Sequence, residues 1–383
     1  MRKIATNFSR IFVGVLFIFS GLIKANDPLG FGYKLQEYFD VFHMSFLGGM
    51  ATGIAILLCV LEIVLGALLL FGFWSRKVTG GLLAIIVFFT FLTFVSAAFK
   101  VVTSCGCFGD AIPLTPWQSF SKDLVLLVLI IYLFINRDNI KPITTNPKVQ
   151  QGLFVVVTLA SLAFGIFTYS TLPVLDFLPY KIGANLPQLM KIPEGAKGDE
   201  YAIMYKMSNK KTGEKKVMSD KDYLKTEIWK DENWEIVGNP DKVLVKKGYE
   251  PKIKDLVIND ASGTDYTKEL VENPFYNLII VAYNLDETNE NAVAKLNALA
   301  LNAAQQYNIR TVLLTSSSAQ RADAFSKNMK LFAEVFYADA VPLKSMVRSS
   351  PGVLLLKNGV VVNKWHYHTV PSFDKLSEEY FSK

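Results

Sequence analysis

The chain has 383 residues, 51% of them hydrophobic and only 19% charged, whereas soluble proteins carry about a quarter charged residues. Residues 1–175 hold 12 Lys and Arg against 7 Asp and Glu, and residues 176–383 hold 28 against 27. The basic excess thus lies in the apolar half, which excludes the soluble basic module of a nucleic-acid binder. Three cysteines exclude a disulfide scaffold, and the absence of any CxxC or Cys/His cluster excludes a zinc site.

Five segments are long and apolar enough to cross about 30 Å of hydrocarbon as helices. They are Ile4–Ile23, Met50–Phe73, Val78–Phe99, Trp117–Ile135 and Gly152–Tyr169. The first follows Arg2 and Lys3, as a signal peptide would. Leu22-Ile23-Lys24-Ala25 is a poor cleavage site and four more spans follow, so it reads as a retained anchor. Lys and Arg in short loops set direction. With the N-terminus cytoplasmic, the inner segments hold Arg2, Lys3, Arg76, Lys77, Arg137, Lys141 and Lys148. The opposite loops hold Lys24, Lys34, Lys100 and Lys122, diluted by Asp27, Glu37, Asp40, Asp110 and Asp123. Five crossings place the second half outside the cytoplasm.

Between spans one and two, Leu35, Tyr38, Phe39, Phe42 and Phe46 recur at helical spacing. They predict an aromatic amphipathic helix, lying in the membrane interface or packed across the mouth of the bundle. In span two, Cys59 among Leu57, Leu58, Val60 and Leu61 reads as a small buried hydrophobe. Glu62 is the one carboxylate deep in a span, where ionisable groups are costly and usually paired. Arg10, entering span one from the basic end, is its expected partner.

The loop before span four reads Thr103-Ser104-Cys105-Gly106-Cys107-Phe108-Gly109-Asp110. Cysteines at i and i+2 reach disulfide separation only over an adaptable backbone. Gly106 supplies that freedom and Gly109 lets the loop turn again. A ring this small is expected to be strained, which favours an exchanging bond over a structural staple. Three readings stay open: a redox pair, an inert small-loop disulfide, or two unpaired thiols. Lys122 and Asp123 follow at the head of span four, close enough in sequence to tune thiol acidity or simply to solvate a helix end.

Together, the basic N-terminus, Arg10, Ser20-Gly21-Leu22-Ile23-Lys24, Glu62, Cys105-Gly106-Cys107-Phe108-Gly109 and Lys122-Asp123-Leu124 resemble the DoxX/MauE family of bacterial membrane proteins. The resemblance covers residues 1–140, a four-helix bundle, and the Cys-Gly-Cys-Phe-Gly loop points to the methylamine-utilisation MauE branch. That branch is implicated in disulfide-related maturation of exported proteins beside a thioredoxin-like partner, and the resemblance implies a redox-associated membrane role for Cys105 and Cys107 and nothing finer. Glu62 and Arg10 match positions where the family tends to place charges.

Residues 141–175 form a cytoplasmic loop and the fifth span. In 176–249, Pro179, Gly183, Pro187 and Pro193 make an irregular exit, and Tyr201–Tyr249 reads as a small β-containing section with Trp229 and Trp234 as core. Residues 250–383 alternate as βαβαββα. The strands are Asn277–Asn284, Arg310–Thr315, Glu334–Ala338 and the hairpin around Asn358-Gly359. With Pro351 just before the hairpin strand, this resembles a thioredoxin-like fold, with Pro351 at its cis-proline position. Where such a fold carries CxxC, this chain reads Leu285-Asp286-Glu287-Thr288-Asn289, and no thiol follows Cys107. The domain cannot perform dithiol exchange and is left a docking role. His366 and His368 flank Tyr367 and share a side, but no third ligand completes a metal site.

The expected class is therefore a polytopic α-helical membrane protein with a C-terminal α/β thioredoxin-like domain. Two functions compete. In one, Cys105 and Cys107 serve a thiol–disulfide oxidoreductase component acting on an exported or envelope protein, with a quinone as acceptor although no quinone site is marked. In the other, the chain is a membrane-anchored adaptor and the Cys pair is structural.

Overall fold

The computed structural model describes residues 2–102 and 108–382. Cys105, Gly106 and Cys107 lie outside the described residues. Six helices open the chain: α1 (Arg2–Asn26), α2 (Pro28–Val41), α3 (Ala51–Phe71), α4 (Ser75–Phe99), α5 (Pro116–Ile135) and α6 (Pro147–Ser170). All but α2 are spans, the second beginning at Ser45. Each start has a local cause. Thr115 and Gln118 form a reciprocal capping box on α5 with Pro116 in its first turn. Asn146 caps α6 ahead of Pro147, and Asp27 caps α2 ahead of Pro28. The helices α1 and α3 pack through small residues: a Cβ on Gly66 would stand 2.7 Å from the Gly14 carbonyl oxygen, so the two glycines permit an approach no other residue would. Val13, Phe17, Leu65, Leu69, Leu82 and Ile130 fill the centre of the bundle.

Past α6, the chain turns through residues 171–185 into the short helix α7 (Leu186–Met190) and then a four-stranded sheet. In it, β1 (Glu200–Asn209) pairs antiparallel with β2 (Lys215–Ser219) on one side and with β3 (Trp234–Ile236) and β4 (Asp241–Lys246) on the other. Helix α8 (Asp220–Thr226) follows β2. The tryptophans expected as core are not: Trp229 is 44% exposed against Tyr223, and Trp234 is half-buried. Ala202, Met207 and Met218 are buried instead. Three short strands beside β1 make a sheet too small to enclose an indole.

The last unit begins with α9 (Thr267–Val271). It continues as β5 (Tyr276–Val281), α10 (Glu290–Tyr307), β6 (Arg310–Thr315), α11 (Ala319–Met329), β7 (Glu334–Tyr337), α12 (Ala340–Met346), β8 (Gly352–Lys357), β9 (Val360–His366) and α13 (Phe373–Leu376). The sheet order is β7-β6-β5-β8-β9. The first three strands are parallel to one another, and β8 and β9 run antiparallel. Successive residues of a strand face opposite sides: Ile279 and Val281 join Leu186, Ile258 and Leu270 on one face, while Leu278 and Ile280 join Leu296, Leu313 and Phe325 on the other. A sheet buried on both faces explains the unbroken apolar runs Leu278–Ala282 and Val353–Leu356. The helices α9 and α12 were not foreseen.

Candidate functional site

The α/β unit, α2 and the segment Phe108–Asp110 meet at one end of the bundle. Helix α2 lies across that end with Phe31, Leu35 and Tyr38 buried, Phe31 and Leu35 packing with Ala55 and Cys59 of α3. Phe46 beyond it is exposed. Of the two readings of this helix, packing across the bundle mouth is what the structure shows.

Arg348, in the loop between α12 and β8, joins the parts. Its Nε donates to Asp27 Oδ2 at 2.7 Å, its Nη2 to Asp110 Oδ2 at 3.0 Å, and its Nη1 to the Lys344 carbonyl at 2.5 Å. Its side chain is 8% exposed. Burial alone would depress the guanidinium, but the two carboxylates outweigh burial and hold its pKa above the ordinary value. Gly30 makes the geometry feasible, since a Cβ there would stand 2.4 Å from Asp27 Oδ2 and 2.8 Å from Arg348 Nη2. Beside it, the Lys344 ammonium sits over the rings of Tyr33 and Tyr283, 4.5 and 5.2 Å from their centroids. Burial lowers the pKa of this lysine. A cavity of about 450 Å³ opens at this junction, lined by Asp27, Tyr33, Phe108, Asp110, Pro173 and Arg348 among others.

The same junction is held at the α6 exit. Asn26 at the end of α1 exchanges two hydrogen bonds with Leu175, at 2.8 and 2.9 Å. Thr168 donates to the Ala25 carbonyl at 2.6 Å. Lys364 of β9, buried, ion-pairs with Asp176. The His368 ring nitrogen Nδ1 lies 3.1 Å from the Ser170 carbonyl oxygen.

The described flanks of the cysteine loop are fixed here too. Val102 and Phe108 are buried. Phe108 lies against Phe19 and beneath the Lys122 ammonium, 5.2 Å from its centroid. Gly109 has a φ of +52°, in the left-handed region. Asp123 is buried, accepting from Thr93 Oγ1 at 3.1 Å and Lys122 Nζ at 2.6 Å. This is an ordered ion pair inside the bundle rather than a solvated helix end.

The expected Glu62–Arg10 pair does not form. Glu62 pairs with Lys24, both almost completely buried, and the Lys24 ammonium also faces the rings of Phe31 and Phe89. Arg10 instead donates to the carbonyls of Leu70 at 2.5 Å and Lys141 at 3.2 Å. The reason is depth. Because α1 and α3 run antiparallel, Arg10 stands level with Leu70, eight residues and about 12 Å along α3 from Glu62. The register set by Gly14 and Gly66 was the available signal. It puts Gly21 against Cys59 and Ile63, and hence Lys24 beside Glu62.

Cys59 is buried and free, beneath Phe31 and Leu35. The Ser350–Pro351 peptide bond is cis, and Arg348 stands two residues before it in the same loop. His366 ends β9 and His368 lies beyond it, their rings 4.8 Å apart. His366 Nδ1 accepts from the His368 backbone N–H. Among the described residues no group of three or more metal-ligating side chains gathers. The residue sequence reasoning missed is Arg348. It lay in an unforeseen helix–strand loop, and nothing local distinguishes it from a surface arginine.

Five apolar spans followed by two sheet-bearing units define a polytopic membrane protein with a soluble α/β domain. Residues 2–136, reaching from α1 through α5, match the family described as methylamine utilisation protein MauE. Protein TlpB of Flavobacterium psychrophilum is 30% identical over 158 residues, which is 40% of this chain. The match spans 41% of the length of that relative.

Proposed function

We propose that this is a thiol–disulfide component of the cell envelope, in which Cys105 and Cys107 exchange with an exported protein at the bundle mouth. The observation that carries the reading is the junction itself. The residues bounding the cysteine segment are buried on one side, and on the other are tied through Asp110 to Arg348, beside a cavity of about 450 Å³. In the α/β unit, β6-β5-β8-β9 has two parallel strands followed by two antiparallel ones, with a cis proline entering β8. That arrangement fits a thioredoxin-like fold from which the thiols are missing, and it covers the mouth.

The chemistry balances as follows. A client thiolate attacks the Cys105–Cys107 disulfide, forming a mixed disulfide and releasing one of the two as thiolate. A second client thiolate displaces the other, leaving an oxidised client and a Cys105/Cys107 dithiol. A membrane quinone, taking two electrons and two protons, would restore the disulfide. In this scheme the N-terminus is cytoplasmic and the α/β domain periplasmic.

The test is to trap the intermediate. In membranes carrying Cys107→Ala, Cys105 is expected to hold client proteins as adducts that dithiothreitol releases and that the Cys105→Ala/Cys107→Ala variant lacks. If that double variant supports disulfide formation in exported proteins as well as the wild type does, the pair is structural and the chain an adaptor. Alkaline phosphatase fused after Lys383 should be active. An inactive fusion overturns the orientation.

A further inference from the structure

Two cavities adjoin at the bundle mouth. The outer is the junction cavity of about 450 Å³, and the inner, of about 30 Å³, lies among α1, α2, α3, α4 and α5. The inner one has room for about two waters. Lys24 and Phe31 line both and so form the partition between them. Among the described residues, a buried oxygen without a hydrogen-bond partner marks each side: Ser119 Oγ on the outer cavity and Glu62 Oε2 on the inner one. Ser119 is fully buried and Glu62 is 2% exposed. An unpaired polar oxygen beside a water-sized space is where an internal water binds. Toward the other end of the bundle, Val13, Leu65, Leu69, Leu82 and Ile130 close the core with apolar side chains. We propose that Glu62 is a proton-binding site, reached along internal water from the side of the α/β domain, through the junction cavity and past Lys24.

The step moves a proton and no electrons. A hydronium ion gives its proton to the unpaired Oε2, leaving water and a neutral carboxylic acid. As an acid, Glu62 still offers Oε1 to the Lys24 ammonium. The rings of Phe31 and Phe89, 5.1 and 4.8 Å from that nitrogen at their centroids, support the cation once the negative charge is gone. The titratable groups on the inner cavity are Lys24 of α1, Tyr38 of α2, Glu62 of α3, and Lys122 and Asp123 of α5. Helix α4 lines it with Ile86, Phe89 and Leu92. Cys59 lies one turn from Glu62 on α3, and α6, packed on α3, carries no Asp, Glu, Lys or Arg beyond Lys148. Asp123 supplies the contrast. Both its oxygens are engaged, Oδ1 by Lys122 and Oδ2 by Thr93, whereas Glu62 keeps one oxygen for a proton.

The experiment treats the full-length protein in lipid vesicles with dicyclohexylcarbodiimide. This apolar reagent adds to protonated carboxyl groups and ends as an N-acylurea, which peptide mass assigns to a residue. Vesicles with the α/β domain outward are first collected through a tag after Lys383. The pH is then set separately on the two sides, at about 8 or about 6, the lower value approaching the carboxylate range. Lowering it on the α/β side should speed labelling of Glu62 about tenfold or more, because the reactive acid form rises as the proton concentration does. Lowering it on the other side should change the rate less than about twofold. Asp123 should stay unlabelled throughout, and Glu62→Gln should leave the bundle without label.

Labelling of Glu62 that follows the pH of the α/β side establishes the site and its direction of access. Labelling that follows the opposite side, follows neither side, or fails to occur at Glu62 at either pH overturns it. Equal labelling of Asp123 also overturns it, because the unpaired oxygen would then make no difference. If Glu62→Gln fails to fold, the wild-type protein decides alone, since peptide mass locates the label without a variant. The readout involves neither thiol of the Cys105/Cys107 pair, so its failure and the failure of the redox reading are separate results.

Discussion

Lys24 and Arg348 are both cations removed from water near the same end of the bundle, and they are secured in different ways. Lys24 is enclosed by the membrane domain, with one carboxylate and two aromatic faces around it. Arg348 is shared, with two carboxylates that keep partial access to water, 18% and 54% exposed. The first pair fastens α1 to α3 within a bundle. The second fastens one domain to another. A closed pair penalises the loss of either partner, because the survivor is a lone charge in a low-dielectric interior. A shared, half-wet pair leaves survivors that can rehydrate.

That contrast orders the expected effects. Lys24→Met or Glu62→Leu alone should cost the detergent-solubilised protein about 3–5 kcal/mol, while the double replacement should recover most of it. Thermal unfolding of the four proteins decides this. Equal damage in single and double variants would mean that the pair is not a closed unit. Arg348→Gln should cost less, about 1–2 kcal/mol, and should be seen first as faster proteolysis between residues 171 and 200 while the bundle stays resistant. Unchanged cleavage there would break the comparison, because it would show that Arg348 does not hold the junction.

Acid should act next. Burial, then the neighbouring His368, pushes His366 down to about 4. An unfolded histidine titrates near 6.5, so the unfolded chain takes up this proton first. The α/β domain should be unaffected by His366 above pH 6.5, and should lose stability from there down to pH 4, by about 3 kcal/mol in all. His366→Gln should flatten that part of the pH profile in thermal melts. Smallest of all, Arg310→Gln at the exposed ion pairs with Glu269 and Glu334 should change stability by less than about 1 kcal/mol.

The same contrast explains what could be read in the sequence. Spans, strands and hairpin follow from residues close in the chain. The helix Arg2–Asn26 and the strand Arg310–Thr315 fall where hydropathy and alternation put them, and Asn358-Gly359 turns with both residues at positive φ. Glu62 was recognisable as a residue needing a partner, because depth in a span is a local property. Its actual partner was legible only through the relative register of α1 and α3, for which Gly14 and Gly66 were the signal. Arg348 was still less legible: Asp27 and Asp110 are 321 and 238 residues away in the chain, and only the docking of two domains brings the three together. Trp229 and Trp234 show the opposite error, a local preference for burial overridden by a sheet too small to satisfy it.

The segment leaving α6 leaves the molecule no slack. Between Ser170 and the buried Tyr180, the chain is pinned at the Ser170 carbonyl by His368, at Leu175 by Asn26 and at Asp176 by Lys364. The soluble domain is thus mounted on α1 and α6 as on two struts rather than hung from a leash. A change in bilayer thickness that tilts either helix would be transmitted as a rotation of the sheet, and a pull on the sheet would load the ends of both helices at once.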